Sequence, residues 1–303
     1  MDPVLRAILL SWDWRLSVIA VLLLTGGGYT LGWWRLRRLQ GELRRGRRYL
    51  ANGWRLASYL GGLAILGVAL MSPIDALGSQ LFSMHMVQHL LLVMFSPPLL
   101  LLANPLPFLL WGLPASLRRR LGLLLSRASP VRRALRAATR PGLSWLIFVA
   151  VYLGWHDPNA YNLALRIDWV HDLEHITFFG TAMLLWWHIT LAGPRIHGRF
   201  SYGARIAYVL ITIPVNLIAG AAIAFSSQPV YTYYTTVPRL WGLTVMQDQM
   251  VGGVIMWVPG SMMFIVAALI LVARLLQIEE AKPPLPEAEW ATDEAMIVPG
   301  WKE

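Results

Sequence analysis

The chain has 303 residues, of which 56% are hydrophobic and only 14% are charged, and the apolar residues come in long runs. This composition is typical of a membrane protein and argues against a soluble domain, in which apolar and polar residues alternate more closely. There is no cysteine, so disulfides, thiolate metal sites and Cys-x-x-Cys redox pairs are excluded. The net charge of +10 comes from arginines in connectors between apolar runs, a topological pattern rather than a nucleic-acid surface.

Seven stretches of the chain are apolar enough to be interpreted as membrane-spanning helices, each of which needs roughly 20 residues to cross about 30 Å of hydrocarbon. They cover residues 16–34, 54–71, 84–102, 143–155, 171–191, 206–225 and 246–275. The first stretch follows acidic residues and lacks a small-residue cleavage site, so we expect a span rather than a removable signal. The sequence therefore predicts an all-α membrane protein, with a bundle of about seven transmembrane helices over residues 1–278.

The arginines predict the orientation of this bundle, because cytoplasmic connectors near span ends carry the excess positive charge. Eight arginines lie between residues 35 and 55, eight between 118 and 140, and three between 195 and 205. The alternate loops, 72–83, 156–170 and 226–245, hold only Arg166 and Arg239. We therefore expect the N-terminus outside and the C-terminus in the cytoplasm. Residues 279–303 are polar and proline-rich, and we expect a flexible cytoplasmic tail there.

Prolines interrupt three of the predicted spans: Pro97 and Pro98 the third, Pro214 the sixth and Pro259 the seventh. Proline lacks the backbone N–H that a helix interior needs, so each should kink its helix and leave carbonyl groups unpaired. Kinked neighbouring helices can separate locally, and we expect a cavity between these spans.

Five of the seven histidines fall at the predicted outer face: His85 and His89 at the start of the third span, His156 at the end of the fourth, and His171 and His175 at the start of the fifth. Members of a pair are four residues apart, which stacks them on one helical face with Cβ atoms roughly 5–6 Å apart. The first turn of a helix disfavours protonation, and neutral imidazole is the metal-binding form. Because ionisable residues at membrane depth are costly and usually functional, we predict a metal site here.

Further donors accompany these histidines. Asp248 and Gln249 occupy the equivalent outer start of the seventh span, where a carboxylate can bind a metal or accept a hydrogen bond from a ligating imidazole, as Glu174 also can. Thioether with imidazole is a donor set that suits Cu(I) better than Zn²⁺ or Mg²⁺. The predicted metal is therefore copper, as Cu(I), and its predicted ligands are His85, His89, His156, His171, His175 and Asp248, with Glu174 and Gln249 in support and Met84 and Met86 as soft ligands.

Ordinary structural roles stay open for the same residues. The histidines and Asp248 can form interfacial hydrogen bonds or cap helices, and methionine is a common core filler because its unbranched chain fits irregular gaps. His188 and His197 fall on the cytoplasmic side and are not assigned to the site. We expect Trp186 and Trp187, with some of the tyrosines between 231 and 234, in the interfacial aromatic belt.

Four motifs carry a family resemblance. They are His85-Met-Val-Gln-His89 followed by Pro97-Pro98, Trp155-His156-Asp157-Pro158 with Tyr161, His171-x-x-Glu174-His175 with Trp186-Trp187, and Asp248-Gln249-x-x-Gly252-Gly253-x-x-Met256-Trp257. With these motifs the chain, from about Met71 to Gly260, resembles the polytopic CtaG-type (caa3-type) cytochrome c oxidase assembly proteins, which are distinct from the single-span copper chaperone that has shared that name. Asn104 departs from the pattern, in which we expect glycine.

The resemblance implies an assembly factor of the bacterial inner membrane that is not an enzyme and helps to place copper in a haem-copper oxidase. Its implied partners are cytochrome c oxidase subunits, other copper chaperones and the lipid bilayer, without nucleic acid. From the residues alone, a copper transporter or channel and a membrane haem-binding redox protein stay open. A metalloprotease is not expected, because neither histidine pair has the His-Glu-x-x-His pattern.

Overall fold

The computed structural model describes residues 10–43, 50–126, 128–194, 196–198 and 200–281, and the regular structure in these ranges is helical. The helices are α1 (Leu16–Leu43), α2 (Gly53–Met71), α3 (Pro73–Gly78), α4 (Phe82–Leu90), α5 (Ser96–Leu102), α6 (Pro105–Gly112), α7 (Ala115–Leu124), α8 (Pro130–Ala138), α9 (Pro141–Trp155), α10 (Pro158–Ala164), α11 (Asp168–Thr190), α12 (Tyr202–Leu210), α13 (Thr212–Ala224) and α14 (Val245–Glu280). A π-helical segment, Leu91–Phe95, joins α4 to α5, and a 3₁₀ turn covers Thr232–Thr235. Part of each basic connector and of the expected tail lies outside the described residues: Arg44, Arg45, Arg47, Arg48, Arg127, Arg195, Arg199 and residues 282–303.

Among the described residues, five helical stretches are long and apolar enough to cross a membrane: Leu16–Leu39, Gly53–Met71, Phe82–Leu102, Tyr202–Ala224 and Val245–Glu280. Helices α8 and α9 meet at 55° and would add a sixth if they form one broken span. Helix α11 has 23 residues but is more polar, because its first two turns carry three acidic residues and two histidines. Length and composition thus support a multi-pass membrane protein, whereas the count of seven spans and their orientation stay predictions.

The double proline of the third predicted span breaks the helix as expected. Pro97 has no N–H to give to the carbonyl of Val93, and the Ser96 N–H bonds Leu91 five residues back, which makes the intervening turn π-helical. The indole N–H of Trp186 on α11 donates to the freed Val93 carbonyl at 2.9 Å. Trp186 is 3% exposed, so its predicted place in the interfacial belt is wrong. It instead ties α11 to the break between α4 and α5.

The other two prolines act differently. Helix α12 ends at Leu210 and α13 begins at Thr212, so Pro214 sits in the first turn of a new helix, where proline is tolerated. Helix α14 runs through Pro259 without a break. Next to it, the side-chain amide of Asn216 donates to the Met256 carbonyl at 2.9 Å. Helix α13 thus supplies a hydrogen bond to a carbonyl one turn before this proline.

Asn104, where the resemblance leads us to expect glycine, has a left-handed backbone with φ 52° and ψ 65° at the junction between α5 and α6. Asparagine is one of the few residues with a side chain that adopt this conformation readily. The substitution therefore keeps the backbone turn that glycine would make.

Two hydrophobic clusters form the interior. The larger surrounds α4, α5, α9, α11 and α14, and the smaller lies where α1, α2 and α6 meet. In the smaller cluster the rings of Tyr29 and Tyr59 stack with centroids 3.9 Å apart. Gly32 and Gly112 let α1 approach α6 closely, since a Cβ on Gly32 would lie 1.7 Å from the carbonyl oxygen of Phe108.

Hydrogen bonds among loops define one end of the bundle, which we call the histidine end. The N–H of Asp13 donates to the carbonyl of Met71 at 3.0 Å, and the hydroxyl of Tyr234 donates to the carbonyl of Gly78 at 2.8 Å. The hydroxyls of Tyr161 and Tyr234 lie 3.0 Å apart. These contacts gather the segment before α1 and the loops 72–83, 156–170 and 226–245 at the same end.

Replacing Gly32 with alanine should separate α1 from α6. The added methyl has no room against the backbone of α6, and overpacking of this kind costs about 1–3 kcal/mol. We expect a lower unfolding temperature of the detergent-solubilised protein. Gly27→Ala on the same helix is the matched control, because nothing lies within 4 Å of the new methyl and alanine favours a helix. Equal unfolding temperatures for the two variants would contradict the close crossing.

Candidate metal centre

A carboxylate from α14 holds the start of α4. Asp248 accepts hydrogen bonds from the N–H of Phe82 at 2.8 Å, from the N–H of Ser83 at 3.0 Å and from the Ser83 hydroxyl at 2.6 Å. The first N–H groups of a helix have no partner within it, and the positive end of the helix dipole favours a carboxylate. The sequence predicts Asp248 as a metal ligand, whereas the structure uses both of its oxygens as a helix cap. Asp248 thereby positions α4, and His85 on it, against α14.

The rest of the Asp248 motif is packing surface. The side-chain oxygen of Gln249 accepts from the N–H of Val230 at 2.7 Å, so this residue anchors the loop before α14 rather than supporting a ligand. A Cβ on Gly252 would lie 2.2 Å from the ring of Phe82, and one on Gly253 would lie 2.6 Å from the backbone of α13. The two glycines therefore allow α14 to lie directly against α4 and α13.

The five outer histidines form one continuous group at the histidine end. Ring centroids are 4.2 Å apart in both i, i+4 pairs, His85 with His89 and His171 with His175. Between the pairs, the ring of His85 lies 5.3 Å from that of His171, and the ring of His89 lies 5.7 Å from that of His175. His156 is at the edge of the group, 6.4 Å from His89. Helices α4 and α11 thus turn their histidine faces toward each other, and the end of α9 adds the fifth ring.

Glu174 lies at the middle of this group. Its side chain is fully buried, with one oxygen 3.7 Å from Nε2 of His85 and the other 3.6 Å from Nε2 of His89. Neither oxygen has a hydrogen bond within the described residues. An isolated buried carboxylate costs several kcal/mol, so this group needs a cation or a proton. The sequence assigns Glu174 a supporting role, but the structure gives it the central position.

Unpaired ring nitrogens are concentrated in this group of histidines. Within the described ranges, six buried nitrogens of the five histidines have no hydrogen bond: Nδ1 of His85, Nδ1 of His89, Nε2 of His156, Nε2 of His171 and both ring nitrogens of His175. Native proteins rarely leave buried polar atoms unpaired, and a cluster of them therefore needs a partner. The combination of imidazole nitrogens and one carboxylate is a donor set for a cation.

Four of these residues, His85, His171, Glu174 and His175, form the tightest group, which we call the His/Glu cluster. One ligand atom from each lies within 4.8 Å of all the others. Ligands bound to a metal at about 2 Å are at most about 4 Å apart, so a closing movement of roughly 1 Å would complete a coordination shell. His89 adjoins the cluster, because its Nε2 lies 2.8 Å from Nε2 of His85.

A small cavity lies on the inner side of His89. Its volume is about 30 Å³. We call it the methionine chamber after the donors that line it: Met86, His89, Met94, His156 and Met256. Of the two methionines that the sequence predicts as soft ligands, Met86 lines this chamber and Met84 does not.

Aromatic side chains from the loops cover the histidines. The ring of Tyr161 stacks on that of Tyr231 with centroids 3.9 Å apart and lies 5.1 Å from the ring of His85. Tyr231 and Tyr234 are 1% and 2% exposed, so these two are not among the tyrosines expected in an interfacial belt. Burial raises the pKa of Tyr161, Tyr231 and Tyr234, which keeps the phenols neutral. These three tyrosines form a roof over the His/Glu cluster.

Acidic residues border the cluster beside this roof. The guanidinium of Arg15 contacts carboxylates of Asp13 at 2.8 Å, Asp75 at 3.3 Å and Asp172 at 2.7 Å. Three carboxylates against one guanidinium leave this rim negative. His171 is the half-buried member of the His/Glu cluster and immediately precedes Asp172 on α11. A cation approaching from the histidine end therefore meets an attractive rim before His171.

The remaining two histidines lie together at the opposite end. The rings of His188 and His197 are 5.3 Å apart, and both Nε2 atoms bond Thr139, at its carbonyl (3.0 Å) and its hydroxyl (2.9 Å) respectively. Burial, together with the positive charge of Arg136, lowers the pKa of His197. These hydrogen bonds give the pair a structural role in joining α11 to α8.

Exchanging Asp248 for asparagine separates the helix cap from metal binding. Asparagine keeps one acceptor oxygen and turns an N–H₂ group toward the other donors, so we expect a loss of about 1–3 kcal/mol in unfolding free energy. Metal stoichiometry should not change. Glu174→Gln should do the reverse and lower the metal bound per chain. Loss of metal in Asp248→Asn without a change in unfolding temperature would restore Asp248 as a ligand.

The roof also makes a prediction. Tyr234→Phe removes the hydroxyl that donates to Gly78 and meets Tyr161, at a cost of about 1 kcal/mol per hydrogen bond, so the loop that carries Tyr234 should open roughly fivefold to thirtyfold more often. We expect modification of His85 by diethyl pyrocarbonate, followed by mass spectrometry, to accelerate by this factor. Tyr233→Phe on the neighbouring half-buried ring is the control. Unchanged modification in both variants would mean that the roof does not gate the cluster.

Three mycobacterial proteins are similar to this chain. Uncharacterized protein Mb0105 of Mycobacterium bovis and uncharacterized protein MT0111 of Mycobacterium tuberculosis are each 30% identical over 269 residues, which cover 84% of this chain and 38% of the relative. Uncharacterized protein ML1998 of Mycobacterium leprae is 28% identical over 277 residues, 87% of this chain and 39% of that relative. The chain therefore spans less than two fifths of the length of these relatives. No solved structure matches the chain significantly.

A family model described as cytochrome c oxidase caa3 assembly factor matches residues 27–277. The match takes in the four sequence motifs, the His/Glu cluster and the methionine chamber, and it confirms the resemblance drawn from the motifs. The chain belongs to the cytochrome c oxidase caa3 assembly factor family.

Proposed function

We propose that this protein binds copper at the His/Glu cluster and assists its insertion into a haem-copper cytochrome c oxidase. The observation that carries the proposal is Glu174, a fully buried carboxyl group without a hydrogen bond in the described structure, facing the Nε2 atoms of His85 and His89. A bound cation compensates such a carboxylate and gives the unpaired imidazole nitrogens a partner at the same time. Family membership supports the oxidase as the destination.

The donor set of the cluster fits copper. Imidazole suits Cu, Zn, Fe and Ni, and a cysteine-free chain offers no thiolate to bias the site toward zinc or iron–sulfur chemistry. At a site with nitrogen and oxygen ligands, Cu²⁺ binds more tightly than Zn²⁺ does, and imidazole is also a ligand of Cu(I). The structure places one carboxylate among the histidines, so the cluster can hold either oxidation state.

The proposed role is delivery rather than turnover of a substrate. His171 is half-buried beside the acidic rim, whereas His85, His175 and Glu174 are buried, so copper would exchange through His171 first. Ligand exchange needs an acceptor protein that presents its own metal ligands at the same face. We propose oxidase subunits as that acceptor and other copper chaperones as donors, within the lipid bilayer and without nucleic acid.

The arrangement in the membrane follows the arginine distribution. We propose seven spans, with α11 as the fifth and α8–α9 forming the fourth, in a bacterial inner membrane. The histidine end then lies outside, because the loops gathered there hold only Arg166 and Arg239. In this orientation the N-terminus is outside, the C-terminus is cytoplasmic, and copper is bound on the side from which it would reach the oxidase.

The two rival functions differ from this proposal in testable ways. A haem would need a pocket of roughly 300 Å³ or more, whereas the cavity next to the histidines has a volume of about 30 Å³. A transporter would need a continuous polar route inward. In the wall of the methionine chamber, the hydroxyl of Tyr152 donates to Asn216 at 2.6 Å, and Asn216 donates to Ser261 at 3.0 Å. Because these polar side chains bond one another, they favour a binding site over an open polar conduit.

Copper stoichiometry of the purified protein tests the proposal directly. The detergent-solubilised protein is loaded anaerobically with Cu(I), washed against a competing chelator and compared with the double variant His85→Ala, His89→Ala. We expect wild type to retain at least one copper and the double variant to lose the cluster copper, since it lacks the cluster ligand His85 and the adjoining His89. The double variant His188→Ala, His197→Ala is the matched control at the opposite end and should bind as wild type does.

The same variants test the role in cells. Cells with the His85→Ala, His89→Ala protein should have low cytochrome c oxidase activity while the variant stays abundant in the membrane, and the control pair should keep normal activity. If the wild-type protein retained no copper after the loading described above, the metal-binding role would be wrong and a scaffold role would remain. Normal oxidase activity in the His85→Ala, His89→Ala strain would remove the pair from the mechanism even if it binds copper in vitro.

A further inference from the structure

We infer that the methionine chamber is a second metal position, separate from the His/Glu cluster and selective for Cu(I). This inference deepens the proposed function and rests on it, because it adds a soft site next to the copper site proposed above. The chamber lies deeper along α4, and three thioethers and two imidazoles line it: Met86, Met94, Met256, His89 and His156. The His/Glu cluster consists of three imidazoles and one carboxylate, so the two positions differ in chemistry.

The hydrogen bonding of His156 prepares one ligand. Its Nδ1 lies 2.6 Å from the carbonyl oxygen of Tyr152, so Nδ1 carries the proton and donates. The tautomer is thereby fixed with a lone pair on Nε2, as in metal-binding histidines whose other nitrogen is held by a carbonyl. That Nε2 is buried and has no hydrogen bond within the described residues. The carbonyl of Tyr152 does not need the bond from Nδ1, because it already accepts the backbone N–H of His156 at 3.3 Å.

His89 connects the two positions. Its Nε2 is 2.8 Å from Nε2 of His85 and 3.6 Å from Glu174, on the side of the His/Glu cluster. Its side chain also lines the chamber, and its Nδ1 is buried without a hydrogen bond in the described part of the chain. His89 is 7% exposed, so water does not serve these atoms from the surface. One residue thus borders both sites, and copper passing between them would keep a ligand.

The size and polarity of the chamber select the charge of the ion. A volume of about 30 Å³ exceeds the roughly 10–15 Å³ that one water needs, but it excludes a hydrated divalent cation. The penalty for burying an ion rises with the square of its charge, so an apolar wall favours a monovalent ion. Thioether and imidazole together are ligands of Cu(I). The carboxylate of Glu174, a harder donor, stays on the other side of His89.

Methionine is also an ordinary filler of irregular cores, and exchange for leucine distinguishes the two roles. Leucine matches methionine in volume and usually costs less than about 1.5 kcal/mol, so packing survives while the sulfur is lost. The test variant carries Met86→Leu, Met94→Leu and Met256→Leu. The control carries Met250→Leu and Met262→Leu on the same helix, α14, where both side chains are largely exposed at 47% and 57%.

The experiment is Cu(I) titration of the detergent-purified full chain against a chromophoric chelator, with X-ray absorption at the copper edge. We expect wild type and control to bind two Cu(I), with sulfur scattering from one, and the triple variant to lose sulfur scattering and about tenfold or more in affinity for one equivalent. Co²⁺ should bind the His/Glu cluster in the triple variant as in wild type, which shows that the variant is folded.

The possible failures are distinguishable. Copper bound in wild type with only nitrogen and oxygen scattering would overturn the second position and leave the proposed function intact. Sulfur scattering that persists in the triple variant would also overturn it, because the sulfur would then come from elsewhere in the chain. Absence of bound copper and of bound Co²⁺ in wild type would overturn the proposed function and, with it, the chamber as a metal position.

Discussion

The architecture depends on one constraint, the cost of a carboxyl group buried among imidazoles inside an apolar bundle. Glu174 can stay where it is only if a cation or a proton shares the space, because the side chains described around it give it no hydrogen bond. The elements around it are arranged to hold the rings in place without satisfying them. Asp248 caps α4, and Trp186 ties α11 to the break between α4 and α5. The tyrosine roof excludes water from the histidine end. Stability is thus spent on positioning, and the unsatisfied atoms are concentrated at one site.

The helical breaks and glycine contacts serve that positioning. A third predicted span without the break between α4 and α5 would leave no free carbonyl for Trp186 to bind. The histidine faces of α4 and α11 would then lack this link at mid-bundle. Close backbone approach at Gly252 and Gly253 brings α14 against α4 and α13, which puts Met256 on the wall of the chamber. In a bilayer, where apolar burial drives helix association only weakly, small residues and interhelical hydrogen bonds are the expected means of fixing helices.

Much of the fold could be predicted from the sequence, because hydropathy and proline act locally. Each predicted span contains helix, and the effect of Pro97 on Val93 follows from covalent structure. The i, i+4 spacing likewise places each histidine pair on one face. The roles of Asp248, Glu174 and Trp186 could not be predicted, since they depend on which helices become neighbours. A carboxylate at a helix start has the same sequence signature whether it binds a metal or caps another helix, and only the three hydrogen bonds to Phe82 and Ser83 decide.

The bond between Trp186 and Val93 has a consequence for how the chain can vary in length. It sets the register of α11 against the segment between α4 and α5. On each side of the contact, the histidine pair lies a fixed number of residues from the bond. One residue added between His89 and Pro97 would rotate the preceding helix by about 100° relative to the tether and carry both of its histidines away from Glu174. Side chains that face lipid can be exchanged freely. The eight-residue interval from His89 to Pro97 must keep its length, because it orients the histidine rings toward Glu174.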